Sequence, residues 1–361
     1  MVTALGDARP GSHEIEVNVD GEHATAIAYP ELVGPVTVGD TVILNTTAVA
    51  LGLGTGGVHF VIAVEGSTPA DDELVGRVMK ARYTPSQSAV TGVEESHRAV
   101  LEGSRGLELT PVVCAPLHSM VAPVAAGARR AGASSVVYVM TDGAALAGAF
   151  SGLVFELREA GLLDGWITCG QAFGGELEAV TVWTGMLAAR EVMGADVIVV
   201  ADGPGNLGTD TTWGVSALGS GNSLNAVATI GGRPIPALRV SFADPRERHR
   251  GLSHHSLTIL RDVCKVETNV PVPTLVDEGQ RQAVWGALRA AKLEERHQLV
   301  DVDGRPALDE LRARSVIVRS MGRTEEDDPA FFLAAGAAGV LAGRMAAGDR
   351  RWRDGLGTGN S

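Results

Sequence analysis

Residues 110–143 read TPVVCAPLHSMVAPVAAGARRAGASSVVYVMTDG. A short apolar run, Pro111–Ala115, gives way to Pro116-Leu117-His118-Ser119, which opens an Ala-rich helix through Ala131. A second apolar run, Val136–Met140, ends on Thr141-Asp142-Gly143 and opens a helix to Ala160. The pattern then repeats. Trp166–Cys169 precedes Gly170-Gln171-Ala172-Phe173-Gly174-Gly175-Glu176 and a helix to Met193, Asp196–Ala201 precedes the glycine-rich stretch Asp202–Thr212, and Leu238–Phe242 precedes a histidine-rich loop. Apolar runs without polar alternation, separated by helices, predict a mostly parallel, doubly wound sheet with helices on both faces. Right-handed crossovers put the five loops at one sheet edge. That edge is expected to carry His118, Asp142, Glu176, Asp202, Asp210, Asp244, His249, His254 and His255.

Towards the N-terminus the period changes from helical to two. Glu14-Ile15-Glu16-Val17-Asn18-Val19 alternates as a half-buried strand does, and Asp20-Gly21 is a hairpin signal. Several short strands with close turns predict a small β-barrel or sandwich over residues 1–66. Within it, Gly54–Gly57 reads as a tight corner or, less simply, a backbone nest for an anion. A turn-rich connector, 67–109, follows, then the α/β domain, 110–347, and a polar tail, 348–361, expected to be disordered. In the distal part, Leu275–Leu293 reads as an amphipathic helix and Ser315–Ser320 as a strand. The Ala/Gly-rich Pro329–Met345 helix suits close packing against the sheet or a second subunit, hence a possible homo-oligomer.

Composition narrows the function classes. A net charge of −13 argues against a general nucleic-acid or anionic-membrane surface. The three cysteines, Cys114, Cys169 and Cys264, make no CxxC pair and no disulfide framework, which suits a reducing cytoplasm. No basic-then-apolar leader opens the chain, and no apolar run is both long and uninterrupted enough to predict a membrane span.

Chemistry concentrates at residues 237–260, ALRVSFADPRERHRGLSHHSLTIL, where His249, His254 and His255 are three of the chain's nine histidines. Ser253 reads as the N-cap of a helix starting at His254. His249, His254, His255 and His118 are candidate acid–base residues, with Asp244 orienting an imidazole. Adjacent His254 and His255 diverge by roughly 100° on a helix, so only one is expected to face a cleft. If a divalent metal binds, the candidate ligands are His249, His254 and Asp244; otherwise the cofactor is unknown, and no HExxH spacing is present. Asp142, Gly174, Gly175 and Glu176, with Gly203, Gly205, Gly208, Thr209 and Thr211, are the candidate ligand-binding residues, since glycine amides and hydroxyls ahead of a helix can cradle an anion. The loop is neither a Walker A sequence nor a GxGxxG fingerprint in its usual place. Each residue also has a plainer role as cap, turn or surface charge.

Several pieces together resemble an uncharacterised bacterial family of Actinobacteria and Firmicutes known only as a domain of unknown function. They are Leu44–Val49 with Leu51–Gly57, Arg82–Pro85, Tyr138–Gly143, Gly170–Gly175 and Arg248–His255. The resemblance covers Glu14 to Val272 and implies no activity. Asp202 departs from it, standing where an apolar residue is expected before Gly-Pro-Gly, and the start at Met1 looks short by comparison. The expected function is a hydrolase or group transferase acting on a small anionic metabolite at the C-terminal edge of the sheet. The alternatives are a ligand-binding sensor and a homo-oligomeric assembly protein.

Overall fold

The computed structural model describes residues 1–53, 57–67, 76–209 and 211–349, which form two compact units. The glycine run before Gly57, Asp210, and the tail beyond Asp349 lie outside the described residues.

The first unit, Met1–Thr91 with Ala147–Gly152, is built on β1 (Val2–Arg9), β2 (Ser12–Val19), β3 (Glu22–Ala28), the short helix α1 (Pro30–Val33), β4 (Val42–Asn45), α2 (Thr47–Ala50) and β5 (His59–Val64). The alternation read in the sequence is realised: Ile15 and Val17 are fully buried, with Val2, Ala26, Ala28, Val61 and Val64 in the same core. Asp20 and Gly21 both have positive φ, the conformation a two-residue hairpin loop between right-twisted strands requires. The closed barrel is not formed. The sheet is open and mixed, in the order β1-β2-β3-β5-β4, with β3 and β5 parallel. Among the described residues, backbone hydrogen bonds join β1 to the turn before β4 only at Val2 N to Asp40 O and Gly39 N to Val2 O, too short a seam to close a ladder. A small hairpin, β6 (Val78–Lys80) with β7 (Ser88–Val90), completes this unit.

The second unit begins at Gly92 with α3 (Val93–Ser96) and α4 (Arg98–Gly103). The stretch read as a connector is therefore divided between the units. Then come β8 (Pro111–Cys114), α5 (Val121–Arg130), β9 (Val136–Thr141), α6 (Gly152–Glu159), β10 (Gly165–Cys169), β11 (Leu177–Ala179), α7 (Val182–Glu191), β12 (Val197–Asp202), α8 (Gly219–Thr229) and β13 (Arg233–Pro236). The six strands form one sheet in the order β11-β10-β9-β12-β8-β13, every pair parallel. Alternate residues enter two separate cores. Val113, Tyr138, Met140, Val197 and Val199 pack with α5 and the C-terminal helices, while Val112, Cys114, Val139, Ile198 and Val200 pack with residues of α7 and α8. Apolar side chains on both faces explain why these strands show no period-two pattern.

Two expectations need correcting. Leu238–Phe242 does not join the main sheet: β14 (Val240–Ser241) pairs antiparallel with β15 (Gly251–Leu252), and the sixth strand is β13. Ser315–Ser320 forms no strand; Ser320 makes only an isolated bridge to Arg323.

The distal elements are α9 (His254–Thr258), β16 (Asn269–Pro273), α10 (Glu278–Ala290), β17 (Gln298–Val302), α11 (Arg305–Ala313) and α12 (Pro329–Ala346). By length and composition α12 could cross a bilayer, contrary to the sequence reading, yet 78% of it is buried inside the protein, as in a core helix. That enclosure also leaves no broad face of α12 for a second subunit.

Glycines let α5 and α12 approach to near backbone contact. A Cβ at Gly339 would sit 2.0 Å from the Val124 carbonyl oxygen, and one at Gly127 would sit 2.6 Å from that of Gly336. Backbone cannot rotate aside as a side chain can, so Gly339→Ala must force the helices apart. Thermal melts should show it destabilised by about 1–3 kcal/mol. Gly286→Ala, on an exposed face of α10 with open space around it, should be neutral or stabilising by up to about 1 kcal/mol.

Candidate functional site

Three strands of the sheet deliver the expected residues to its C-terminal edge. His118 follows β8, Asp142 follows β9, and Asp202 ends β12. His118 Nδ1 lies 3.2 Å from Tyr138 Oη and 3.3 Å from the Asp202 carbonyl oxygen. The buried Asp202 carboxylate accepts from Thr141 Oγ1 at 2.6 Å and from Gly143 N at 3.1 Å. Burial raises its pKa against those two hydrogen bonds, and the charge of Asp142 raises it further. Burial also depresses His118 to about 4, against its bond to Asp202. Asp142 is exposed and accepts from Gln171 N at 2.8 Å.

Glu176 is not at this edge. Its backbone N donates to Trp166 O near the start of β10, and its carboxylate pairs with Arg158 at 2.7 Å. The chain folds back after β10 before β11 begins, which carries Glu176 to the opposite end. Glu178, which the sequence did not single out, takes the central role in that turn. Its buried carboxylate accepts from Gly174 N at 2.7 Å, Gly175 N at 3.2 Å and Thr168 Oγ1 at 2.7 Å. The glycine amides therefore already face a carboxylate.

The second glycine-rich loop also closes on itself. Thr209 N and Oγ1 both donate to Gly214 O, Thr211 Oγ1 accepts from Gly214 N, and Gly208 bridges to Val215. Gly203 is buried against Met140 and Ala145, while Gly205 supplies a positive φ.

The histidine loop leaves the C-terminal end of β13. Pairing of β14 with β15 closes it, and Gly251 takes the positive φ that returns the chain into β15. Asp244, 1% exposed, fixes the loop from within. Its carboxylate accepts from Arg246 Nε at 3.0 Å, Arg246 Nη2 at 2.9 Å and Arg239 Nη2 at 3.0 Å, while its backbone N donates to Ser241 Oγ. Burial opposes the Asp244 charge, yet the Arg246 hydrogen bonds and the two guanidinium charges hold its carboxyl far below the usual range. Asp244 therefore orients arginines and not an imidazole, and it is engaged too fully to serve as the expected metal ligand.

The group that does hold an imidazole is Ser253. Its Oγ lies 2.8 Å from His249 Nδ1 and also accepts from His255 N at 3.3 Å, so the helix cap doubles as the anchor of His249. The expectation that His254 and His255 diverge is overturned. Their ring centroids are 4.1 Å apart, and His249 lies 5.1 and 4.8 Å from them. The divergence holds for Cα–Cβ vectors inside a helix, whereas these two residues occupy the first turn, where no preceding turn crowds their rings. One ring nitrogen from each of the three lies within 4.8 Å of the other two. His254 Nε2 and His255 Nε2 are buried with no hydrogen-bond partner, an arrangement that costs about 1–3 kcal/mol per unpaired group.

These imidazoles are neutral at pH 7. Burial, then the charges of Arg239 and Arg246, depress His249 to about 3. Burial, His254 and the nearby arginines depress His255 to about 4, and burial with Arg248 and Arg239 lowers His254. Arg248 itself is exposed. The cysteines offer no rival site: all three are buried and outside any disulfide, and burial raises the thiols of Cys114 and Cys264.

Fold and site thus define an α/β protein with a six-stranded parallel sheet whose histidine-bearing loop extends its C-terminal edge. Over residues 25–339 the chain matches the family model described as protein of unknown function DUF3866, and it belongs to that family. No curated protein and no solved structure matches it.

Asp244→Asn should leave the Arg239 guanidinium buried without its counter-charge and cost about 3–5 kcal/mol in a urea melt. The histidines also set an acid limit. Because His249 and His255 have native values below the unfolded value of 6.5, the unfolded chain binds more protons between pH 6.5 and about 3 to 4. Their contribution is therefore full above that window and falls as pH drops through it. Urea midpoints measured between pH 7 and pH 4 should fall, and His255→Gln should flatten the decline.

Proposed function

We propose that the loop bearing His249, His254 and His255 is the reactive centre of a hydrolase or group transferase acting on a small anionic metabolite. One observation carries the reading: three neutral imidazoles converge within 4.8 Å at the end of a loop that also presents the exposed Arg248. The charge of Arg248 reaches both His254 and His255, so an anion beside their rings meets a guanidinium suited to carboxylate or phosphate. Imidazoles held near 3 and 4 are weak proton acceptors at neutral pH. They act as lone-pair donors that position water or an electrophile, more than as proton shuttles. The His118–Asp202 network at the same sheet edge supports the rim and offers a protonatable carboxyl.

A ligand-binding sensor is the second reading, and the same weak basicity favours it. A panel of phosphate and carboxylate esters, followed by product release and by thermal shift, separates the two. An enzyme releases product, loses turnover at least 100-fold in His254→Ala and shows a KM raised about tenfold in Arg248→Gln, the equivalent of about 1.4 kcal/mol in binding. A sensor shows ligand-induced stabilisation that depends on the same residues, with no product. Absence of both turnover and stabilisation across the panel would remove the anionic-substrate reading.

A further inference from the structure

We propose that His249, His254 and His255 form a binding site for one divalent first-row transition metal ion of the Zn2+ type, with a coordination position left for an anionic ligand. The inference deepens the functional reading, because it uses the same loop, but it stands on its own observations.

The first is convergence. Nitrogen ligands of a tetrahedral Zn2+ lie about 2.0–2.1 Å from the ion and hence about 3.3 Å from one another. The three imidazoles already bring one nitrogen each within 4.8 Å. Small ring rotations close the remaining gap.

The second is the pair of buried nitrogens. Nε2 of His254 and Nε2 of His255 have no hydrogen-bond partner, and their residues are neighbours on one turn of α9. Protein interiors pair their polar atoms. Two adjacent unpaired imidazole nitrogens beside the ring of a third histidine offer their lone pairs to a Lewis acid.

The third is orientation. The Ser253 hydroxyl engages His249 at Nδ1, which leaves Nε2 as the coordinating atom. An outer hydrogen bond of this kind is how proteins fix the tautomer and aim of a ligating histidine. Ser253 is wholly buried, so the orientation is built into the fold.

Charge sets the remaining character of the site. Arg239, Arg246 and Arg248 act on the histidines and oppose a cation, although Asp244 neutralises much of the first two. The residual positive field lowers metal affinity and favours an anion or hydroxide as the fourth ligand. Imidazole donors with no carboxylate or thiolate select Zn2+, Cu2+, Ni2+ or Co2+ over Mg2+ and Ca2+.

The test uses the full chain, treated with a chelator and dialysed. Titration with Zn2+ by calorimetry, and with Co2+ by visible absorption, should show one equivalent bound below about 10 μM, with the absorption of a four-coordinate ion. His249→Ala, His254→Ala and His255→Ala should each weaken binding at least 100-fold, while His97→Ala, at a half-buried histidine outside the cluster, leaves it unchanged. Should an alanine variant lose its fold by circular dichroism, the Asn variant at that position carries the same expectation. Binding that survives all three substitutions, or a folded wild type that binds neither ion below about 1 mM, overturns the site. Metal binding without turnover of any ester would remove the enzyme reading and leave the site standing; turnover of an ester by a protein that binds neither ion below about 1 mM would do the reverse.

Discussion

A parallel sheet buried on both faces is the constraint from which the rest follows. Every residue of β8, β10 and β12 is buried. Such strands need a helical layer on each side, and each crossover must return the chain to the same end before the next strand starts. The loops after β8, β9, β12 and β13 therefore gather at one edge. The edge strands meet the other requirement of the sheet. β11 is only three residues long, and β13 carries Pro234 and Pro236, which have no N–H to offer a further strand.

On that edge the chain has created a cationic environment around uncharged rings. Asp244 binds Arg239 and Arg246 together, and Ser253 holds His249. Burial first, and the arginine charges after it, keep the imidazoles deprotonated, and the carboxylate keeps the arginines in place. The site residues are thus mutually dependent, and the loop's geometry belongs to its ion pairs as much as to its backbone.

Much of this was legible in the sequence. The runs around Val112, Val137, Ile167 and Ile198 were long enough and apolar enough to announce buried strands, and the 249–255 cluster announced itself by density. Ser253 as a cap followed from its place before His254. What sequence reasoning missed has identifiable causes. The prolines of Arg233–Pro236 disguised a strand, because proline argues against a sheet interior but is tolerated at its edge. Leu238–Phe242 imitated one by being apolar, yet its backbone bonds go to Gly251 and Leu252. Asp244 looked like a partner for histidine because Asp–His pairs are common in sites; three arginines in reach, at 239, 246 and 323, outcompete a neutral ring. Glu176 was displaced from the rim by a reversal of direction that no local pattern marks. The first unit was read correctly in its alternation, while its closure depended on long-range pairing that alternation does not specify.

The contact between α5 and α12 has a consequence for how the chain comes to its final form. The facing glycines, Gly127 and Gly336, lie at nearly opposite ends of the second unit's sequence. During synthesis the first strands of the sheet and α5 emerge long before the helix that covers them. One apolar face, lined by Val121, Val124 and Ala128, must therefore wait uncovered while the histidine loop and everything after it is made. The layer closes last, through a pair of helices that can dock only at backbone distance, so completion of this unit is tied to the arrival of its C-terminal helix and its intermediates are exposed to self-association until then.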